Sequence, residues 1–273
     1  MEEKAEYTFK PVEDLCFSDD FMFGAVMRDS SICKGVLERL LKIKIDHIEY
    51  PELQKSISPF YNQKGVRLDV YAAGSGQVFD VECQSYKISS IGKRTRYYQS
   101  MLDMDSLLKG KDYSELKESY IIFICLDDPF DAGLPVYTFE RKCREDENVN
   151  LNDKTHHLVF NAAAYEKEKN PEIRDFLAFV KNNKAESDFT REIETMVQAK
   201  KFENTFLNEY LAIRLHERDI EKRAEERVME KGMEKGKIAA YADFIKDGLI
   251  SLKDAAIKLG IPEEDLQAQI QLS

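Results

Sequence analysis

The sequence predicts an α/β fold, a β-sheet with accompanying helices that is followed by an all-helical C-terminal region. Residues 66–72 and 78–86 have the composition of two strands, and the glycine-containing segment between them has that of a hairpin turn. Residues 120–126 form an unbroken apolar run, as expected of a strand that is covered on both faces. No proline occurs between Pro171 and Pro262, where apolar residues recur at helical spacing.

Local patterns predict the other elements that precede the helical region. These are helices over residues 19–27, 31–41 and 91–108, and short strands over residues 136–139 and 157–160. Gly110 lies where the third helix should end, because glycine adopts the left-handed conformation common just after a helix. Residues 45–50 alternate as in a strand, and Pro51 is expected in the loop after it.

The composition limits both location and partners. A net charge of −11 opposes simple adhesion to a polyanion, so any role with nucleic acid must depend on local positive charge. The five cysteines are far apart and lack the close pairs of zinc or redox motifs. No apolar run approaches the length of about 18 residues that a membrane span needs, and residues 1–4 lack the layout of a signal peptide. We therefore expect a soluble, cytoplasmic protein with no membrane partner.

The predicted hairpin brings several polar side chains to one face. If its turn is centred between Ser75 and Gly76, the numbers of opposed residues add up to 151, so Asp69 faces Glu82. Arg67 and Gln84 share that face because strand side chains alternate. The opposite face carries apolar residues, which belong in the core.

Two opposed carboxylates about 5 Å apart repel each other, and something must offset that cost. A divalent cation between Asp69 and Glu82 is one solution, because oxygen ligands suit magnesium or manganese. The other solution is neutralisation by Arg67 in an ordinary surface charge cluster. The spacing alone leaves both open.

The order of several motifs resembles a known family. Asp69 followed by Glu82 and Gln84 is similar to the D…(D/E)-x-K core of the PD-(D/E)XK nucleases, with glutamine where lysine is usual. The wider pattern resembles the Rpn family of recombination-promoting nucleases, also described as transposases. The matching segments lie within residues 17–165 and comprise residues 18–23, 67–70, 81–84, 94–100 and 120–124.

The resemblance implies a restriction-endonuclease-like mixed sheet flanked by helices, and cleavage of double-stranded DNA with Mg²⁺, or alternatively Mn²⁺. It implies that Asp69, Glu82 and the backbone carbonyl of Cys83 hold the metal, with Gln84 as the third catalytic residue. Gln84 can orient a water but carries no positive charge, which distinguishes it from lysine. Asp20 is a further candidate ligand, acting through a water, or else a first-turn acid favoured by the helix dipole.

The hairpin is followed by the clearest basic and aromatic patch in the sequence. It has no acid between Tyr86 and Ser100, and it consists of Lys87, Lys93, Arg94, Arg96 and Tyr97. In a nuclease, this patch would hold the phosphate backbone beside the metal. The alternative is a solvated helix face, which is a common reason for a charge run.

We predict three parts of the chain. Residues 1–168 form the PD-(D/E)XK nuclease-like domain, residues 169–236 a helical extension with a charged linker helix, and residues 237–273 a small three-helix segment. The last part resembles a helix-turn-helix, but its four lysines are outnumbered by six acids. Packing or homo-oligomerisation is therefore the expected role of the C-terminal helices.

The sequence thus favours a metal-dependent DNA endonuclease, associated with recombination, mobile elements or defence. The competing hypothesis is a catalytically weak or inactive nuclease-fold module for DNA binding or protein interaction. Gln84 and the acidic net charge are the observations that keep this alternative open.

Overall fold

The computed structural model of the chain describes residues 10–57, 65–74, 76–87, 89–107 and 109–271. Within these ranges, the side chains of residues 50–54, 217, 221, 224, 231 and 271 are not described. The predicted turn residue Ser75, residue 108 at the predicted helix end, and residues 1–4, used for the expected location, lie outside the described residues.

Six strands within the described residues form one mixed sheet, as the sequence predicts. They are β1 (Glu49–Ile57), β2 (Val66–Gly74), β3 (Gln77–Gln84), β4 (Glu118–Cys125), β5 (Val136–Phe139) and β6 (Thr155–Asn161). Their order across the sheet is β1-β2-β3-β4-β6-β5. β4 pairs in parallel with β3 and β6, and the other pairs are antiparallel.

Helices precede and follow the strands in the chain, and every described element after β6 is helical. Those within the described residues are α1 (Asp20–Met27), α2 (Ser30–Leu41), α3 (Ile91–Ser106), α4 (Pro171–Asn182), α5 (Asp188–Lys201), α6 (Asn204–Lys246), α7 (Leu252–Leu259) and α8 (Glu263–Gln271). Short 3-10 helices are formed by Val12–Asp14, Tyr113–Glu115 and Ala162–Lys167.

The centre of the sheet is β4, which corresponds to the unbroken apolar run of the sequence. All its residues except Glu118 are buried. On one face, Ile121 and Phe123 pack in a core cluster with Tyr98 and Met101 of α3. A strand with covered faces and two parallel neighbours needs apolar side chains on both sides, which explains why its sequence does not alternate.

α1 and α3 lie on opposite faces of the sheet. The Sγ atom of Cys83 is 3.5 Å from the carbonyl oxygen of Ser18, just before α1. The neighbouring residues Glu82 and Gln84 instead contact Arg94 of α3. Because adjacent strand residues point to opposite faces, the face with the carboxylates is the one that α3 covers.

The first strand differs from the prediction. The expected strand over residues 45–50 overlaps β1 only at its end, and the expected loop at Pro51 was wrong, because β1 spans Glu49–Ile57 and includes Pro51. β1 is an edge strand, and its register shifts between Glu49 and Glu52. Proline is tolerated at such a bulge in an edge strand, since its missing N–H donor is not needed there.

The predicted hairpin register is confirmed. Each bridge pair from Gly74 with Gln77 to Val70 with Val81 has residue numbers that add up to 151. Gly76 has a φ of 78°, the left-handed conformation that this tight turn requires. A Cβ atom at Gly74 would overlap the carbonyl oxygen of His47, so the end of β2 also requires glycine.

The chain divides into two compact units, Met1–Asn208 and Glu209–Ser273. The second unit has its own small core, built around Ile238, Ala256 and Leu266. Ser251 caps α7 and Gly260 ends it in a left-handed conformation, as their positions in the sequence suggest. The three-part division at residues 168 and 236 stays a prediction, although residue 236 lies inside α6. Among the described helices, none is long and apolar enough to cross a membrane.

Candidate active site

The hairpin opens where the two predicted carboxylates lie. The β2–β3 ladder ends at the pair Val70 and Val81. Beyond it, the N–H of Asp69 donates to Oε1 of Glu82 at 2.8 Å, and the N–H of Cys83 donates to Oδ2 of Asp69 at 3.2 Å. Carboxylates therefore replace carbonyls as the acceptors between the strands. We call Asp69, Glu82 and Cys83 the open end of the hairpin.

The backbone carbonyl of Cys83 faces the same gap between β2 and β3. The N–H and C=O groups of a strand residue point to the same side, since opposed residues exchange both kinds of hydrogen bond. The N–H of Cys83 points at Asp69, so its C=O also faces β2. Two carboxylates and one carbonyl thus converge on the open end.

A third acid, Asp80, lies on the same face as Glu82 and Gln84. The side chains of Asp80 and Glu82 are 0% exposed, and the carboxyl group of Asp80 is hydrogen-bonded to that of Glu82, an arrangement that needs a proton on one of the two. Asp80 was not among the site residues predicted from the sequence. The available signal was its parity, because residues 80, 82 and 84 must alternate onto one face of β3.

Burial makes all three carboxyl groups reluctant to ionise. It raises the pKa of Asp69 to about 6 and that of Glu82 to about 8, where the charge of Asp69 adds to the effect. Burial, together with Glu82 and Asp69, also raises the pKa of Asp80 well above its ordinary value. A cation at the open end would reverse this tendency, because it favours the charged forms.

The cation that contacts Glu82 is Arg94 of α3. Its Nη2 donates to Oε2 of Glu82 and its Nη1 to Oε1 of Gln84, both at 3.0 Å. Its Nε donates to the hydroxyl of Tyr98 at 2.8 Å. Arg67, the residue that the sequence offered for neutralising the pair, acts through its charge, which together with that of Arg94 lowers the pKa of Asp69, whereas the direct contact with Glu82 comes from Arg94.

A cavity of about 760 Å³ lies beside the open end and is rich in positive charge. Its lining residues include Asp69 on β2 and Tyr97 on α3. Four cations also line it, namely Arg67, Lys93, Arg94 and Arg96. A strongly basic pocket in a chain with a net charge of −11 is the local concentration that binding to a polyanion needs.

Two predicted site residues lie apart from this group. Lys87 forms an ion pair with Asp131 and is not among the residues that line the cavity. Asp20 is the first residue of α1, and its Oδ1 accepts the N–H of Phe21 at 2.7 Å. Its charge contributes to the raised pKa of Asp69, although α1 lies on the other face of the sheet.

The donor set at the open end suits a magnesium-like ion. Within the part of the chain that the structure describes, no group of three or more His, Cys, Asp or Glu side chains is arranged to hold a metal. Magnesium does not need such a cage, because it uses one or two carboxylates and keeps several waters. Asp69, Glu82 and the carbonyl of Cys83 fit that requirement.

One family of known proteins matches most of the chain. The model of the PD-(D/E)XK nuclease family transposases matches residues 11–236. The chain belongs to this family. The match is wider than residues 17–165, which contain the motifs that carry the resemblance, and it extends into α6. No match was found among curated proteins or among solved structures.

Membership of the PD-(D/E)XK nuclease family confirms the fold class predicted from the sequence. It also gives the chain a nuclease-type function, and PD-(D/E)XK nucleases generally use divalent metal ions. DNA is the substrate that this family suggests.

Proposed function

We propose that the chain is a metal-dependent endonuclease that hydrolyses phosphodiester bonds in double-stranded DNA, with Mg²⁺ as the ion. The observation that carries the proposal is the open end of the hairpin. There, Asp69, Glu82 and the carbonyl of Cys83 converge beside a cavity that four cations line.

Asp69, Glu82 and the carbonyl of Cys83 would hold the ion. When bound, a divalent ion supplies Lewis acidity, which polarises a phosphoryl oxygen and stabilises developing negative charge. The carboxylates of Asp69 and Glu82 accept hydrogen bonds from backbone N–H groups of the opposing strand. These bonds fix both side chains before an ion binds.

Gln84 would orient the attacking water. Arginine has only donors, so the amide of Gln84 must present its oxygen to Arg94. The amide N–H₂ group is then the part left to face the substrate. Gln84 can donate a hydrogen bond to a water or a phosphoryl oxygen there, but it cannot accept the proton of the water.

The cations of the cavity would hold the DNA backbone. Lys93 and Arg96 are exposed on α3 and lie on the same cavity as Asp69. Contacts of this kind set position rather than sequence preference, because every nucleotide carries the same phosphate.

A plasmid-nicking assay tests the proposal. Purified chain with Mg²⁺ or Mn²⁺ should convert supercoiled plasmid to nicked and linear forms, and EDTA should stop the reaction. Asp69→Ala should not cut, whereas the control Asp188→Asn, at a fully exposed acid on α5, should cut like the wild type. Equal rates for the wild type and Asp69→Ala would contradict catalysis at this site.

The second candidate is a nuclease-fold module that binds DNA or a protein without efficient cleavage. Gln84 in place of lysine favours it, as does the direct pairing of Arg94 with Glu82. Fluorescence anisotropy with a labelled duplex separates the two functions. Binding that persists in EDTA, with no cleavage in any divalent ion, would establish the module instead of the enzyme.

A further inference from the structure

The open end has a positive charge that the strand itself does not supply. Gln84 is neutral, but the guanidinium of Arg94 lies 3.0 Å from its Oε1 and 3.0 Å from Oε2 of Glu82. Arg94 lies in the first turn of α3, close behind the hairpin in the chain. The helix therefore brings a cation to the side chains of residues 82 and 84 on β3.

The guanidinium is fixed on every side. Each of its three nitrogens donates a hydrogen bond at 3.0 Å or less, to Glu82, Gln84 and Tyr98. Its Cζ lies 5.7 Å from the ring centroid of Phe123 on β4. The Arg94 side chain is only 28% exposed. Such a side chain loses little entropy when a substrate binds, unlike the exposed Lys93 and Arg96.

The guanidinium of Arg94 forms part of the wall of the cavity. Arg94 and Asp69 line the same cavity, so the guanidinium borders the space that a phosphate would enter. Its bond to Oε1 of Gln84 also decides which end of that amide faces the substrate.

We propose that Arg94 is a positioning residue that supplies the missing positive charge of the site, acting through Glu82 and Gln84. Its fixed charge, one layer behind these two side chains, favours negative charge on the phosphate without contacting it, and its hydrogen bond holds the Gln84 amide with the N–H₂ group toward the water. This inference rests on the proposed nuclease function.

The pairing has a second consequence, for metal affinity. A cation 3.0 Å from Oε2 of Glu82 repels a divalent ion that uses the same carboxylate. Removing the charge of Arg94 should therefore strengthen metal binding while it slows cleavage. A purely structural role would weaken both, so the two measurements together distinguish the roles.

The test uses the full chain with Arg94→Met, which keeps an unbranched side chain but removes the charge. At saturating Mn²⁺, plasmid cleavage should fall by about 10- to 100-fold in kcat, the scale seen for partners of metal ligands. Mn²⁺ affinity, measured by isothermal titration calorimetry without DNA, should rise. Arg144→Met, at an exposed arginine, is the matched control and should change neither.

A second variant returns the charge by another route. Arg94→Met combined with Gln84→Lys places a cation on β3, and it should recover most of the lost cleavage. Unchanged or faster cleavage in Arg94→Met would overturn the proposal, and so would weaker Mn²⁺ binding or a failure of the double variant to recover activity.

The proposed function and this inference fail in different ways. A wild type that binds Mn²⁺ and cuts no DNA contradicts the nuclease function. In that case, the Mn²⁺ affinity of Arg94→Met still tests whether the charge of Arg94 acts on the metal site. An affinity that is unchanged or lower than that of the wild type would contradict this action.

Discussion

The two ends of one hairpin follow opposite rules. At the turn end, backbone groups pair regularly from Gly74 with Gln77 up to Val70 with Val81, and glycine is required by geometry. At the open end, the carboxylates of Asp69 and Glu82 take the place of the backbone acceptors, and acidic side chains are buried together. The first end specifies the register. The second end holds polar groups that stability alone does not call for.

The regular pairing at the turn end offsets the unfavourable burial of acids at the open end. Buried carboxyl groups with raised pKa values cost stability, and functional sites are where such groups concentrate. The register set at the turn end holds Asp69 opposite Glu82 in spite of that cost. Changes at the turn end should therefore affect folding, and changes at the open end should affect chemistry.

The largest expected effect is at the open end. Asp69→Asn and Glu82→Gln keep shape and can still accept the amide bonds, but they remove charge that would hold the metal. Cleavage should fall by about two orders of magnitude or more, the scale of losing one preorganised charge-stabilising group. Plasmid cleavage measures the rate, and urea denaturation should show stability equal to or above that of the wild type.

Gly74→Ala should have the converse effect at the turn end. The new Cβ would overlap the carbonyl oxygen of His47, and overpacking of this kind lowers the free energy of unfolding by about 1–3 kcal/mol. Cleavage per folded molecule should stay unchanged. Gly92→Ala is the control, because a Cβ there meets no atom within 4 Å apart from its neighbours in the chain and the backbone of α3 itself. Equal stability of the two variants in urea denaturation would contradict the close approach at Gly74.

The cations above the open end should act on DNA affinity. Lys93→Ala and Arg96→Ala should each reduce the slope of log affinity against log salt by about 0.9, because each removes one phosphate contact. Lys87→Ala should leave the slope unchanged, since Lys87 pairs with Asp131 away from the cavity. Fluorescence anisotropy at several salt concentrations measures these slopes. If Lys87→Ala reduced the slope more than Lys93→Ala or Arg96→Ala, the DNA would contact the whole basic patch predicted from the sequence rather than the cavity alone.

A further effect concerns how the stability of the metal-free chain depends on pH. The pKa of Glu82 rises from its ordinary value of 4.5 to about 8 on folding, so the folded chain holds this proton more tightly than the unfolded chain. The stabilisation is complete below about pH 4.5 and is lost as the pH rises toward about 8. Glu82→Gln should flatten this dependence in urea denaturation between pH 5.5 and 8.5 in EDTA. An identical pH dependence in both proteins would contradict the buried position of Glu82.

Much of the fold could be predicted because its signals are local. Turn chemistry and strand alternation fix the hairpin register within fewer than twenty residues, and the apolar run of β4 indicates a central strand by itself. Pro51 misled the prediction of β1, because the rule that excludes proline from strands relaxes at an edge bulge. Whether a strand lies at an edge depends on the whole sheet, which no local pattern reports.

The candidate site was predictable in part for the same reason. Asp69, Glu82 and Gln84 share a face by parity, whereas the position of Arg94 depends on how α3 packs across the sheet. A charge pattern gives Arg94 and Arg96 the same weight, although Arg94 pairs with Glu82 and Arg96 is exposed. Asp80 was missed because it belongs to no motif, even though its parity was visible.

The exchange of carboxylates for backbone acceptors at the open end also bears on how related sequences are interpreted. Asp69 and Glu82 each satisfy an amide of the opposing strand, so both would be useful to the hairpin in a descendant that had stopped cutting DNA. Keeping the two acids is then a poor sign of activity within such a lineage. A residue with no part in joining the strands, such as Arg94, would be the more informative marker of a working nuclease.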